Sequence, residues 1–353
     1  MKNILEPHAL VLIVGIATAV AACGRADSPN PVTVPPQPTP SAASAPPAAS
    51  APAPPEKKST MRIDVGGREL DVELQSDKAR FMAGDPIFLS LVWSAPREPI
   101  ELHVEWMGKN ERRQNTSLAV VFSDAHGPLP VRPSGPSFGG NSGTQNITPD
   151  HGHVERILVA AWIDKLPVGK VVAHLETDAM KARADSKAAW QPLHVALDLP
   201  LEVLPDDATA MGAVIDAIGE RVLSDDYETS TYASMQLEVL DDPRTIPYWI
   251  KLADKPSYSA KYAGVTALGK YRDARALAAV VRVSKTKPED LSRQEYTTEE
   301  LRKGSAAQVR IAAVQALFFL GAMDELKAIA KNDPDPSVRS EARQFYSKER
   351  DPH

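Results

Sequence analysis

From residue 61 onward, apolar and polar positions alternate in short runs. Leu70, Val72 and Leu74 interleave with Asp71 and Glu73, and Ile100, Leu102, Val104 and Trp106 with Glu101, His103 and Glu105. A period of two sends successive side chains to opposite faces, so each run reads as a strand with one buried and one wet face. Ile87, Leu89, Leu91 and Trp93 make another such run; Leu193, Val195, Leu197, Leu199, Leu201 and Val203 make the longest. Pro200 within that run has no N–H for a ladder, which predicts a sheet edge or a bend. Residues 118–122 and 157–163 are continuously apolar and read as strands buried on both faces. Turn signals such as Gly84-Asp85-Pro86 and Pro167-Val168-Gly169 separate the runs. Seven or eight strands with few helical stretches between them predict an antiparallel β-sandwich over residues 61–205.

The period changes after Pro205. Met211, Val214, Ile215, Ile218 and Val222 fall at helical spacing, with Asp206 and Asp207 placed to cap the start. Similar segments then recur. Ala263-Gly264-Val265-Thr266-Ala267-Leu268 precedes Asp273-Ala274-Arg275, and the run from Val309 to Leu317 precedes Asp324-Glu325-Leu326. Asp333-Pro334-Asp335-Pro336-Ser337-Val338-Arg339, with a weaker copy at Asp242-Pro243-Arg244, closes the pattern. These residues resemble the HEAT-like repeats first noted in bilin lyases, over about residues 232–346. The resemblance implies an α-solenoid of about three helical pairs and a cap within residues 206–353, without implying bilin chemistry. The polar residues 285–304 depart from the repeat. Small alanines suit closely paired helices, and residues 311–323 carry no charge, which predicts a helix covered on more than one side. The strand pattern upstream is similar to the immunoglobulin-like sandwiches of exported bacterial proteins.

The amino-terminal end carries a different signal. Lys2 precedes an apolar run over residues 9–20, and Val20-Ala21-Ala22-Cys23 contains the only cysteine of 353 residues. The run is too short to span a bilayer, which takes about 20 apolar residues. It resembles a bacterial lipoprotein signal with its lipobox. The resemblance implies a signal peptide over residues 1–22, lipidation of Cys23, and, with Gly24 next, anchorage in the outer membrane facing the periplasm. Residues 29–55 hold eleven of the 31 prolines and no charge. That composition makes residues 23–60 a tether, whose proline-rich part reaches roughly 80 Å if fully extended.

Charge and chemistry narrow the functional classes. A net charge of -6 gives no general attraction to nucleic acid, and a lone cysteine excludes an intramolecular disulfide and CxxC metal sites. Gly135-Pro136-Ser137-Phe138-Gly139 matches the GxSxG pattern, but both flanks read as loop, whereas a nucleophile elbow needs a strand before it and a helix after. His151, His153 and Glu155, like Glu101, His103 and Glu105, alternate as strand positions do; they read as a wet sheet face before a metal site. No catalytic residue, metal or cofactor is assigned. The chain therefore reads as a non-enzymatic envelope protein that binds or assembles partners through its solenoid. The alternative is an envelope hydrolase, or a carbohydrate- or peptidoglycan-binding protein using the sandwich. Aligning Ile246, Leu277 and Leu326 places Lys251, Arg282 and Lys331 at one repeat position, with Arg244 and Arg275 sharing another. Stacked repeats would join them into a basic stripe for an acidic protein segment or an anionic envelope polymer. Cations in the last turn of a helix also complement its dipole, which explains them without a partner.

Overall fold

The computed structural model describes residues 58–78, 80–104, 119–130 and 143–348. Cys23, the tether, Glu105, Trp106 and the Ser137 loop lie outside these residues. No helix among them is long and apolar enough to cross a membrane.

The described residues between 58 and 204 form strands arranged in two sheets. The first sheet has the order β1 (Lys58–Val65), β2 (Arg68–Ser76), β4 (Phe88–Ser94), β9 (His153–Leu158), every neighbour antiparallel. The second runs β3 (Arg80–Met82), β11 (Gln191–Leu204), β10 (Gly169–Arg183), β5 (Ile100–Val104), β8 (Gly143–Ile147). The fifteen residues of β10 carry a register shift between Thr177 and Met180. Its one edge therefore serves two strands, β6 (Ala119–Asp124) before the shift and β5 after it, and β6 in turn pairs with the short β7 (Gly127–Pro128). Leu70, Val72, Leu74, Leu89, Leu91 and Trp93 from the first sheet share one buried core with Phe122, Ala173, Val195, Leu199 and Leu201 from the second. The alternation expected of β2, β4 and β11 is thus what fills the interior.

Three details differ from expectation, and a fourth, at Pro200, agrees with it. β3 pairs with β11 in parallel over Glu202 to Leu204, so the region is antiparallel except at that edge. Pro200 sits opposite Val172 of β10, in a part of β11 that β3 does not reach, and the missing N–H costs no ladder bond. In β6, Val120 and Phe122 are buried while Ala119 and Val121 are exposed, one wet face rather than none. The 157–163 run is not a single strand: pairing with β4 ends at Phe88 opposite Leu158, and the chain coils into a 3-10 turn over Val159–Ala161.

Eight helices follow: α1 (Ala208–Val222), α2 (Tyr227–Glu238), α3 (Ile246–Asp254), α4 (Tyr258–Leu268), α5 (Ala274–Val283), α6 (Glu299–Phe319), α7 (Met323–Asn332) and α8 (Pro336–Lys348). α4, α6 and α8 pack one against the next, as do α1, α3 and α5. Asp207 caps α1 by accepting from the Thr209 and Ala210 amides. Val338 and Ala342 of α8 are fully buried, with Phe345 beside them. The polar residues 285–304 end inside α6 and not before it, because Thr298 caps that helix and Glu299 and Glu300 occupy its first turn. Buried Leu291 and a bond from the Ser292 amide to Pro256 O fasten the rest of that segment over the start of α4.

The helices meet the strands through a few specific contacts. Gln236 on α2 is buried, donates to Pro86 O at 2.9 Å, and accepts from Arg221 Nη2 at 2.9 Å. Phe88 and Tyr232 meet edge to face at 5.7 Å, and the Arg156 guanidinium lies 4.2 Å from the Tyr232 ring. A groove of about 260 Å³ runs between α1 and the Asp77 to Pro86 segment. Asp77 is solvent exposed as a residue, yet neighbouring protein crowds its carboxyl enough that desolvation raises its pKa.

Candidate functional site

The helical surface is built on a small device that occurs twice. Asp242 begins a turn by accepting from the Arg244 amide, and the Arg244 guanidinium folds back on the same carboxylate at 2.6 Å. Asp273 caps α5 in the same way, accepting from the Arg275 amide at 2.7 Å and from its guanidinium at 2.9 Å. These bonds hold the Asp273 carboxyl down at about 2, from an ordinary 3.8. A depressed carboxylate contributes stability above its unfolded pKa and loses it as pH falls through the folded one, so this cap holds until pH drops from about 4 toward 2.

Lys251, Arg282 and Lys331 do occupy the last turns of α3, α5 and α7. Their surroundings differ. Arg282 is engaged by Asp254 from the end of α3, with contacts of 2.8 and 2.9 Å. Lys251 lies 5.4 Å from the Tyr248 ring, whose hydroxyl donates to Asp216 at 2.8 Å and is pushed up to about 12 by that bond. Lys331 is exposed and has no carboxylate within ion-pair distance among the described residues. α3 and α5 lie side by side, whereas α7 packs on α6 and α8. Arg244, Arg275 and Arg282 therefore each carry a carboxylate of their own chain, and the row is one of ion pairs ending in two lysines.

A second feature of this surface was not singled out by sequence. A groove of about 490 Å³ lies between the α4–α5 turn and the α6–α7 turn, lined by Arg272, Leu277, Phe318, Phe319 and Leu320. Gly321, at φ +73°, makes the turn possible: its amide donates to Phe318 O and the Ala322 amide to Leu317 O, the paired bonds of a Schellman ending. Phe318 leans on Phe345 of α8 at 4.7 Å, while Phe319 remains 55% exposed at the groove. Arg272 is exposed and has no carboxylate within ion-pair distance among the described residues. Asp273, already paired with Arg275, also lines this cleft, which sets exposed aromatic and aliphatic side chains beside the Arg272 guanidinium and is able to take an apolar side chain and an acidic one together.

The strand region brings other groups together. Glu101 and His103 lie on β5 in the second sheet, and His153 and Glu155 on β9 in the first, so the two rows are on different sheets. Glu101 pairs with Arg183, whose guanidinium sits 4.3 Å from the Trp190 ring, and His103 contacts the same ring and Thr144. Among the described residues no group of three or more such side chains is placed to hold a metal. Trp93 is core, as its strand position requires, and Trp162 is partly buried against the core. On the outward face of the second sheet, His174 of β10 bonds Asp198 of β11 through Nδ1 and Ser123 of β6 through Nε2, both at 2.7 Å. Four residues farther along each strand, His194 Nδ1 bonds Asp178 at 2.7 Å, an interaction that raises the pKa of His194. Compared with known family models and with curated proteins, the chain finds no match.

Proposed function

We propose that this chain is a lipid-anchored envelope protein whose helices bind an extended, acidic and apolar segment of a protein partner. In this reading the two sheets are an immunoglobulin-like sandwich, and α1 to α8 form a short HEAT-like solenoid capped by α8. Cys23 carries the lipid, and the proline-rich tether holds both regions off the outer membrane on its periplasmic side. The observation that carries the binding role is the groove of Phe318, Phe319, Leu277 and Arg272 between successive inter-helix turns. It favours a peptide over an anionic polymer, because Arg244, Arg275 and Arg282 already hold carboxylates at the edge of the same helices.

A photo-crosslinking side chain placed at Phe319 in the full-length protein should yield one dominant adduct in the envelope. The same group at Leu301, 56% exposed on the first turn of α6, should not. Phe319→Ser and Arg272→Glu should each weaken capture of that adducted partner about tenfold or more, the loss expected of a central interface residue. The triple change of Lys251, Arg282 and Lys331 to Glu should weaken it less; a greater loss there would return the site to the basic row. Identical adduct patterns from the two crosslinker positions would remove the groove as the binding site.

The anchor has its own test. Cys23→Ser should move the protein from the membrane fraction to the soluble periplasmic fraction and abolish incorporation of labelled fatty acid. Continued sedimentation with membranes in the variant would refute lipid anchorage at this position.

A further inference from the structure

We propose that the outward face of the second sheet is an esterolytic site, with Ser123 as nucleophile, His174 as general base and Asp198 as the residue that orients it. The site is independent of the peptide groove. Three hydrogen-bonded strands hold it: Val172 of β10 lies opposite both Ser123 of β6 and Pro200 of β11, and His174 lies opposite Asp198. Asp198 Oδ1 engages His174 Nδ1, so the ring proton resides on Nδ1 and the lone pair of Nε2 accepts the Ser123 hydroxyl. That is the tautomer a serine nucleophile requires. The chain order, Ser then His then Asp, carries no weight, since such triads are recognised by geometry and roles.

The face also suggests the substrate. Val172 and Pro128 flank Ser123 in register, and Val121 one position beyond is 38% exposed, giving a small apolar floor beside the hydroxyl. Lys170 is exposed on the same face, two residues before Val172 and opposite Glu202, and is the cation nearest in register to Ser123 on β10. His174 and Asp198 keep 41% and 69% of their side-chain surface exposed, so the site is open and fits a short acyl ester rather than a large acyl chain. In the reaction, Ser123 Oγ bonds the ester carbonyl carbon while its proton passes to His174 Nε2. The carbon–oxygen bond to the alcohol breaks and the alcohol leaves with that proton. Water then bonds the acyl carbon, giving a proton to Nε2; the acyl–Oγ bond breaks, the carboxylic acid departs, and Ser123 recovers its proton.

The test is hydrolysis of p-nitrophenyl acetate by the full chain, together with labelling by a fluorophosphonate probe. Ser123→Ala and His174→Gln should each lower turnover about a hundredfold, within the range of general-base contributions, and abolish the label. Asp198→Asn should lower kcat with KM little changed. His194→Gln, which disturbs the neighbouring His–Asp pair without touching Ser123, should leave both readouts intact, and mass spectrometry should place the label on Ser123. Wild-type turnover and labelling equal to those of Ser123→Ala, with all variants folded by circular dichroism, would overturn the proposal. A label found on Ser137 instead would do the same.

Discussion

Arg310→Met is expected to destabilise the helical region by about 3 to 5 kcal/mol, the usual consequence of leaving one member of a buried ion pair without its partner. The Arg310 and Asp333 side chains are only 9% and 5% exposed, and they meet through two bonds of 2.9 and 3.2 Å. The third guanidinium nitrogen donates to Thr286 O at 2.9 Å. One side chain on α6 thereby ties down both the polar segment after α5 and the turn between α7 and α8. Asp333 Oδ1 also accepts from the Asp335 amide, which shapes that turn, and Arg339 returns a bond to Asp333 O. With methionine at 310 the carboxylate keeps the Asp335 amide but has no counter-charge in a site closed to water. Urea unfolding should show a lower midpoint, with most of the loss recovered in the double variant Arg310→Met, Asp333→Leu, since replacing both ions removes the desolvation penalty. A double variant no more stable than Arg310→Met would mean that the Asp333 turn, not the charge pair, was what the substitution broke.

The turn around Asp333 is visible in sequence because prolines and a capping aspartate mark a turn wherever they fall. Its partner is not. Arg310 stands in the otherwise apolar and small-residue stretch of α6, and only the packing of α6 against α8 brings it within reach of a turn 23 residues away. The same division holds for the strands. β2, β4 and β11 were legible because one wet face gives a strict period of two. The 157–163 run misled because an apolar stretch has no period, so nothing in it marks where pairing with β4 stops.

Candidate sites divide along the same line. Lys251, Arg282 and Lys331 are found at helix ends, as repeat alignment requires, but their counter-charges come from elsewhere; Asp254 reaches Arg282 from the preceding helix pair. Asp242 and Asp273 stand in the recurring segments, and each lies two residues before its arginine, close enough that the pairing is local. Ser123, His174 and Asp198 had no such signal. They are 51 and 24 residues apart, each is an ordinary polar position on the wet side of its strand, and only sheet register joins them. Phe319 was hidden differently, since it belongs to a charge-free run whose other members, Val314, Ala316 and Leu317, are buried.

Gly264→Ala is the second substitution expected to have a large effect, and it tests how closely the helix pairs approach. A β-carbon at 264 would lie 2.6 Å from Ala253 N, 2.8 Å from Trp249 O and 2.9 Å from Ala253 Cα. All three atoms are backbone, so no side chain can swing away and α4 must withdraw from α3. Trp249, Leu252 and Ala253 are buried in that contact, and Val265, Ala267 and Leu268 are buried beside it. Separation would open the core of the first helices, at a cost of about 1 to 3 kcal/mol, the range for overpacking a filled interior. Alanine otherwise favours a helix over glycine by about 1 kcal/mol, so sterics here oppose propensity directly. Gly304 supplies the matched control: it lies in α6, is exposed, and has nothing within 4 Å of an added β-carbon. Gly304→Ala should therefore raise the melting temperature by a few degrees at most, while Gly264→Ala lowers it by roughly 2 to 4 °C per kcal/mol lost. Shifts of the same sign in both variants would show that propensity alone governs these positions and that α3 and α4 are not in backbone contact.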